Sequence, residues 1–417
     1  MNRVAIIGGV RTPFVRAGGV FAQASFLDLG VHTLRALVHR LGLDPARIDE
    51  VVYSTVLLDP RAPNFAREMV LRSGLPATVA AHSVSNNCIS GLVAATMLAD
   101  GIRSGRIRTG IGGGSESMSR PTLTLHPRGE DLFLRLARAR SLGERLKLAA
   151  SFRPRFLLPL PPSPKEPSTG LTMGQHCEMT AQELRIPRAV QDGIAFRSHQ
   201  NAARAQGAGH LRAEIEPFGG VEEDNLIRRD TSLEKLAKLS PVFDRSGVGT
   251  LTAGNSSALT DGASAFCLMA EEEAVAQGRE ILGFIEATEF AAISPADGLL
   301  QAPGLALPRL MTRAKLTVGE VDIFEIHEAF GAQVAANMEV WRKGWSRYPE
   351  VQPIGPIPEE KINVNGGSIA IGHPFAATGG RLILATVNEL RRRGLRTGVI
   401  SVCAAGAMAC AMLIRRP

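Results

Sequence analysis

The chain has 417 residues, 45% hydrophobic and 21% charged, with a formal net charge of +7. That length exceeds what one hydrophobic core organises, so two or three packed domains of a globular, soluble protein are expected. No apolar run reaches the roughly 18 residues of a membrane-spanning helix, and five cysteines at 88, 177, 267, 403 and 410 fit neither a disulfide framework nor a CxxC metal site.

In chain order, Val4 to Ile7 predicts a strand, and no basic, apolar or Arg/Ser-rich leader stands ahead of it. A chain that starts folded, in the reducing cytoplasm, is the expectation. Ser25 to Leu41 has the spacing of an amphipathic helix, Val51 to Val56 reads as a strand, and another helix begins near Asn64. This alternation predicts α/β layers. The last third repeats it in similar words. Leu43-Asp-Pro-Ala-Arg-Ile-Asp-Glu-Val-Val-Tyr53 matches Leu316-Thr-Val-Gly-Glu-Val-Asp-Ile-Phe-Glu-Ile326, and Ile107-Arg-Thr-Gly-Ile111 matches Leu395-Arg-Thr-Gly-Val399. Two matches in the same order point to a duplicated α/β unit. Loop-strand junctions that merely look alike are the other reading.

Between the halves, Pro121 to Thr250 is richer in Arg and Pro, and Pro159 to Pro164 can continue neither a helix nor a central strand. It reads as an inserted loop domain. From Arg128 to Lys165 there are nine Lys/Arg against three Asp/Glu, a local +6 that nearly equals the whole excess. The basic charge therefore belongs to one segment and does not point to nucleic acid. Within it, Asp131 to Phe156 alternates Leu132, Phe133, Leu136, Leu142, Leu146 and Leu148 with Arg135, Arg138, Arg145 and Lys147 at near-helical spacing. Such a face suits an anionic membrane surface, a partner subunit, or simply solvent.

Four elements carry chemistry. Cys88, in Ser85-Asn-Asn-Cys-Ile-Ser-Gly91, precedes the helical spacing of Leu92 to Ile102. A thiol at a strand-to-helix turn faces the positive end of the helix dipole, which favours a thiolate nucleophile. A buried structural cysteine is the alternative. His373 stands among the glycines of Asn363-Val-Asn-Gly-Gly-Ser-Ile-Ala-Ile-Gly-His-Pro-Phe-Ala-Ala-Thr-Gly-Gly380, which let backbone approach a ligand. Neither GxGxxG nor a following Gly-Lys-Ser/Thr supports a phosphate cradle there. His327, in Glu325-Ile-His-Glu-Ala-Phe330, sits at a strand end, and Gly331 where HExxH needs its second His excludes a zinc-protease site. A His so placed can donate to a developing oxyanion. Cys403, in Val399-Ile-Ser-Val-Cys-Ala-Ala-Gly406, ends a near-terminal strand.

Taken with RTPF at Arg11 to Phe14, GGGSESMS at Gly112 to Ser119 and TAGNSS at Thr252 to Ser257, these motifs resemble the thiolases from end to end. HEAF, SIAxGHPFAATG and CAAG look more like the thiolase subunit of fatty-acid oxidation complexes than like short-chain thiolases. The resemblance implies two duplicated halves in a five-layered αβαβα core. The N-terminal domain would span 1–120 plus 250–278, the loop domain 121–249 and the C-terminal domain 279–417. It implies that His373 takes the proton of Cys88, whose thiolate forms an acyl-enzyme, while Cys403 exchanges a proton with the substrate α-carbon. One oxyanion hole would use His327 and His373, the other the backbone amides of Cys88 and Ala405.

The resemblance also makes coenzyme A a substrate rather than a bound cofactor, with no metal. Ser257 would meet the pantetheine arm, Met173 line the pocket and Phe330 wall the acyl site, with an N-cap or turn serine and a core methionine as the alternatives for the first two. Glu328 would orient its neighbours. A homodimer or tetramer is implied, with a hydratase/dehydrogenase α subunit or a membrane contact through 131–156 as further partners. The sequence departs from the family at Ala407, where a second Gly is usual, at Cys177, where Ala is usual, and in the extra small residue of GGGSESMS. Related readings are a biosynthetic acetoacetyl-CoA thiolase, a ketosynthase, which needs His or Asn at 403, and a catalytically quiet scaffold or lipid carrier.

Overall fold

The structure, a computed structural model, describes residues 2–417. Its strands are β1 (Val4–Arg11), β2 (Val15–Arg16), β3 (Glu50–Ser54), β4 (Ala80–Val84), β5 (Thr109–Glu116), β6 (Thr260–Ala270), β7 (Gly283–Ala292), β8 (Ile323–Ile326), β9 (Thr397–Ala404) and β10 (Met408–Arg415). They pair in the order β4-β3-β5-β6-β1-β7-β10-β9-β8, with β2 on β6. β1 and β7 touch over only two residue pairs, Ala5 with Phe284 and Ile6 with Gly283. On either side of that junction the same pattern repeats. β4, β3 and β5 run parallel and β5, β6 and β1 antiparallel. In the second half β8 and β9 run parallel and β9, β10 and β7 antiparallel. The partner that β8 lacks at its edge survives as a single parallel bridge from Phe324 to Ile362.

The duplication extends to one side-chain device. Oδ2 of Asp49 accepts the amides of Arg108 and Thr109 at 2.7 and 2.9 Å. Oδ2 of Asp322 accepts those of Arg396 and Thr397 at 2.9 and 2.8 Å. Each carboxylate thus satisfies the first amides of the neighbouring parallel strand and fixes its register. The repeated Asp of the two sequence matches is therefore a structural clamp.

Helices fill three layers. Phe26–Leu41 and Phe65–Ser73 cover the outer face of the first half, packing on Ala5, Val51, Ile111 and Met269. Pro303–Ala314 and Gly331–Lys343 cover the outer face of the second half, packing on Phe324, Val399 and Ala411. Ser90–Arg103 and Thr378–Arg393 lie between the halves, and one core joins them to Val52 and Phe266 on one side and to Ile400 and Met412 on the other. This is the five-layered αβαβα arrangement.

Local chemistry explains the element ends. Ser25 closes the first helix with a capping box through Asp28, so it is the cap and not the first turn. β3 stops at Ser54, two residues before the expected Val56, because Val56 and Leu57 turn their amides onto the buried Glu116 carboxylate at 3.0 and 2.9 Å. The basic segment is not one continuous amphipathic run. It forms two helices, Pro127–Arg138 and Leu142–Ala150, restarted by Ser141, whose Oγ accepts from Glu144, and a short turn at Pro154–Leu157. Leu132, Ala139, Leu148 and Phe156 make its small core, while Phe133, Leu134, Leu142 and Leu146 stay exposed.

Arg11 ties the middle region to β1. Its guanidinium, fully buried, meets Glu214 at 2.6 Å and both oxygens of Asp224 at 2.7 and 2.8 Å.

Removing a hydrogen-bonded carboxylate from backbone amides costs about 2 kcal/mol, less where water replaces it. Asp322 is half-buried and Asp49 exposed. Asp322→Ala is expected to lose about 2 kcal/mol and Asp49→Ala about half of that. Urea midpoints test this, and no shift in Asp322→Ala would refute the clamp.

Candidate active site

Cys88 enters the site on a left-handed residue. Asn87, with φ 48°, turns the chain after β4 so that Cys88 precedes the central helix Ser90–Arg103. Ser90 accepts the amide of Asn86 at 2.7 Å and donates to the carbonyl of Asn87 at 2.6 Å. The other central helix, Thr378–Arg393, brings His373 just ahead of its own start. The two helices meet at their N-terminal ends through glycines. A Cβ on Gly379 would lie 2.6 Å from the Leu92 amide nitrogen, and one on Gly91 would lie 2.8 Å from the Ala376 carbonyl oxygen. Only backbone fits there.

His327 follows β8, with its amide on the Ser401 carbonyl at 2.8 Å. The rings of His327 and His373 have centroids 4.0 Å apart. A ring nitrogen of each and the Cys88 sulfur all lie within 4.8 Å of one another. Both histidines are buried and both Nε2 atoms lack a hydrogen-bond partner in the protein. Their Nδ1 atoms are held, at 2.8 Å by the Ser368 hydroxyl for His327 and at 2.6 Å by the Thr378 hydroxyl for His373. Sulfur and two imidazoles are also donors that Zn²⁺ accepts, although the same three atoms are those that acyl chemistry needs.

Burial dominates the electrostatics. It lowers His327 well below its ordinary value, with His373 and Arg381 adding to the effect. Burial, then Arg381, lowers His373 to about 3. The Cys88 thiol is pushed up to about 12 by burial, against amides of Ala405 and Cys88 that point at the sulfur. Those two amides favour the thiolate, but the loss of water outweighs them. Cys403, at the end of β9, is raised far above its ordinary value by burial, then by the neighbouring Cys88 and Cys177 sulfurs.

The remaining sequence candidates gather around this centre. Met173 and Phe330 share a cluster with Cys403, Cys177 and Leu251, and Phe243 stacks edge-on against Phe330 at 5.6 Å. The Ser257 hydroxyl donates to the Ser368 carbonyl at 2.9 Å, and the Ser257 amide donates to the Ala329 carbonyl at 3.0 Å. The TAGNSS segment therefore spans the HEAF and GHPF loops. Glu328 accepts from Ser198 at 2.7 Å, Asn363 at 2.6 Å and the Ile369 amide at 3.2 Å. Three donors on a buried carboxylate make it a strut between loops. Ala407 adopts φ 55° and is buried, so the departure from Gly places a side chain in the left-handed region at about 1 kcal/mol.

Several residues of the site escaped sequence reading. Ser368 and Thr378 lie inside the quoted glycine-rich motif, Glu116 inside GGGSESMS, and Arg381 one residue past the motif's end. A side groove lined by Leu211, Glu214, Asn365 and Glu389 reaches Arg381 but none of the four candidate catalytic side chains.

Residues 4–272 match the family model "Thiolase, N-terminal domain" and residues 279–416 match "Thiolase, C-terminal domain". The chain belongs to the thiolase family. It is thereby an acyltransferase, and thiolases act on coenzyme A substrates. Similar thiolases include the 3-ketoacyl-CoA thiolases of Pseudoalteromonas translucida and Vibrio cholerae, each 40% identical over 99% of this chain and 97% of the relative. That of a Shewanella species is 41% identical over the same shares. The crystal structure of the Bacillus anthracis acetyl-CoA acetyltransferase matches this thiolase with a TM-score of 0.83 at 28% identity, covering 100% of this chain and 99% of that one.

A thiol held neutral by burial ionises only in alkali, where the sign of the shift is decisive. Iodoacetamide labelling of Cys88 in the free enzyme is expected to accelerate about tenfold per pH unit from pH 7 to 10. A plateau reached below pH 8 would show a resting thiolate and overturn this electrostatic picture.

Proposed function

We propose that the enzyme cleaves 3-ketoacyl-CoA by thiolysis to acetyl-CoA and a shortened acyl-CoA, reversibly, through a Cys88 acyl-enzyme. The observation that carries the reading is the junction of the Cys88 sulfur with two unpartnered, buried imidazole nitrogens, beside the thiol of Cys403. The 3-ketoacyl-CoA thiolases that resemble it over 99% of its length support the substrate class.

In this reading each group has a task. His373 Nε2 takes the Cys88 proton as the sulfur attacks the 3-keto carbon. Breaking the bond between carbons 2 and 3 leaves the acyl group on sulfur and the electron pair on the acetyl-CoA enolate, which Cys403 protonates at carbon. A second CoA thiol then takes the acyl group and returns Cys88 to rest. Imidazole nitrogens of His327 and His373 face the enolate oxygen, and the amides of Cys88 and Ala405 face the tetrahedral oxygen of acyl transfer. Burial suits these steps, because fixed dipoles gain strength where water is excluded. Ser257, Met173 and Phe330 line the approach of the pantetheine arm and the acyl chain. Intact Cys88, His327, His373 and Cys403 weigh against a quiet scaffold.

We assign the domains as 1–120 with 250–278, 121–249 and 279–417, supported by the location of β6 in the first half although it follows the inserted region. A homodimer or tetramer is supported by the open edge of β4, which has no buried residue and pairs only with β3. Five unpaired cysteines support a reducing cytoplasm. No helix among the described residues is long and apolar enough to cross a membrane. Exposed Leu142 and Leu146 among exposed Arg138, Arg145 and Lys147 support peripheral contact of 131–156 with anionic lipid. A hydratase/dehydrogenase subunit is the partner that the family offers for the same face.

Cys88→Ser is expected to form no acyl-enzyme from labelled acyl-CoA, whereas Cys403→Ser still acylates but fails to make or cleave carbon-carbon bonds. Trapped label in the first variant refutes the nucleophile. Vesicles containing phosphatidylserine are expected to co-sediment the native enzyme more than a triple charge reversal at Arg135, Arg138 and Arg145. Equal binding removes the membrane contact.

A further inference from the structure

The two histidines are held by hydroxyls in the same way at Nδ1, yet the hydroxyls themselves are placed oppositely. Ser368 receives a hydrogen bond from Nη2 of Arg381 at 3.1 Å. A guanidinium only donates. With one lone pair so occupied, the Ser368 proton has a single buried acceptor in reach, Nδ1 of His327 at 2.8 Å. Were His327 instead to carry its proton on Nδ1, Ser368 would accept twice and its own O–H would be stranded in a fully buried position, at the desolvation cost of an unmade hydrogen bond.

At His373 the chain ends on an acceptor. The Thr378 hydroxyl lies 2.6 Å from Nδ1 and donates to the Pro374 carbonyl at 3.3 Å. Its oxygen is therefore free to accept the Nδ1 proton of His373. A hydroxyl between a donor and a ring gives the ring its proton, and a hydroxyl between a carbonyl and a ring takes the ring's.

We infer that Arg381 and Ser368 are positioning residues that fix His327 as the Nε2–H tautomer, while Thr378 and the Pro374 carbonyl fix His373 as the Nδ1–H tautomer. The two unpartnered, buried Nε2 atoms are then unlike: His327 presents a hydrogen-bond donor and His373 a lone pair. This rests on the proposed reading, and deepens it by saying why two adjacent imidazoles, so alike in burial, divide into an oxyanion donor and a base. The order is enforced from outside the site, by a guanidinium that touches no substrate. When His373 has taken the Cys88 proton it too becomes a donor at Nε2, so both rings can face the oxyanion only after the nucleophile has ionised.

Protein labelled with ¹⁵N-histidine tests the inference without substrate. Long-range proton–nitrogen spectra of the free enzyme, assigned with His327→Asn and His373→Asn, are expected to show His327 protonated at Nε2 and His373 at Nδ1. The same tautomer on both rings, or the reverse assignment, overturns the inference. Ser368→Ala is expected to release His327 into a tautomer mixture and to lower kcat for carbon-carbon chemistry by about 100-fold, as loss of an oxyanion donor does. KM and the burst of acyl-enzyme from acyl-CoA are expected to stay near native. Should Ser368→Ala fold poorly, Ser368→Thr, which keeps the hydroxyl, is expected to keep the native tautomer. Unchanged kcat in a folded Ser368→Ala refutes the positioning role and leaves the thiolase reading intact. Native enzyme inert toward every 3-ketoacyl-CoA would refute that reading, and the spectra would still decide the tautomers.

Discussion

The contact of Gly91 with Gly379 sets the spacing on which the rest of the molecule depends. Two helices in corresponding places of the two halves cross where neither carries a side chain, so their N-terminal ends come together. Cys88 and His373 stand just ahead of those ends. A methyl group at either glycine would push backbone against backbone, and no side chain there is flexible enough to yield. The five layers then follow as a means of holding this crossing. Each half's sheet packs one face on the central helices and the other on its own outer pair, so the crossing is buried between two sheets.

Around the crossing lies a set of charges that a stability argument alone would not select. Arg11 and Arg381 are both fully buried, with Glu214, Asp224, Glu325 and Glu328 among their neighbours. Burial raises Glu325 to about 8 despite Arg381, and raises Glu116 to about 7 despite four hydrogen bonds. Replacing buried ion pairs with apolar side chains of similar volume is often neutral or stabilising. Their value here is directional. Each fixes a loop end that apolar packing would leave free to slide: Asp224 the RTPF turn, Glu116 the exit of β3, Glu328 the two glycine-rich loops and Arg381 the hydroxyl behind His327.

The parts legible in the sequence were those repeated or written in one continuous stretch. Leu43 to Tyr53 and Leu316 to Ile326 could be matched because both encode a clamp, a turn and a buried strand, and the aspartates at 49 and 322 do the same work in three dimensions. The four candidate catalytic residues stood out as parts of short continuous motifs, with glycines and small residues close to His373 and Cys403. What was hidden depends on partners remote in sequence. The fifth strand of the second half shrinks to one bridge at Ile362, since the Asn363 side chain pairs with both backbone groups of Ile326, at 2.7 and 2.8 Å, as a strand would. The break between the helices of the basic segment follows from a local serine cap, but its core of Leu132, Leu148 and Phe156 mixes positions that helical spacing had put on one face with others it had not. The upward shift of the Cys88 thiol depends on burial, which local dipoles do not reveal.

That shift bears on why the family chemistry uses two thiols. A buried thiol resists ionisation, and its thiolate is correspondingly more basic once formed. For Cys88, half-buried, this opposes a resting thiolate. For Cys403, fully buried, it keeps the thiol protonated at rest. The loops around the sulfurs carry matching strain: Asn87, before Cys88, and Ala407, beyond Cys403, are both left-handed, each at about 1 to 2 kcal/mol unless compensated. Asn87 offsets its share by donating to the Ala405 carbonyl at 3.0 Å, which fastens the two cysteine loops to each other. The amide of Gly406 donates to Glu166 of the middle region at 3.0 Å, so that region also fixes the turn after Cys403. Strain is tolerated where both sulfurs must be held, and the hydrogen bonds that tolerate it are the ones that set their separation.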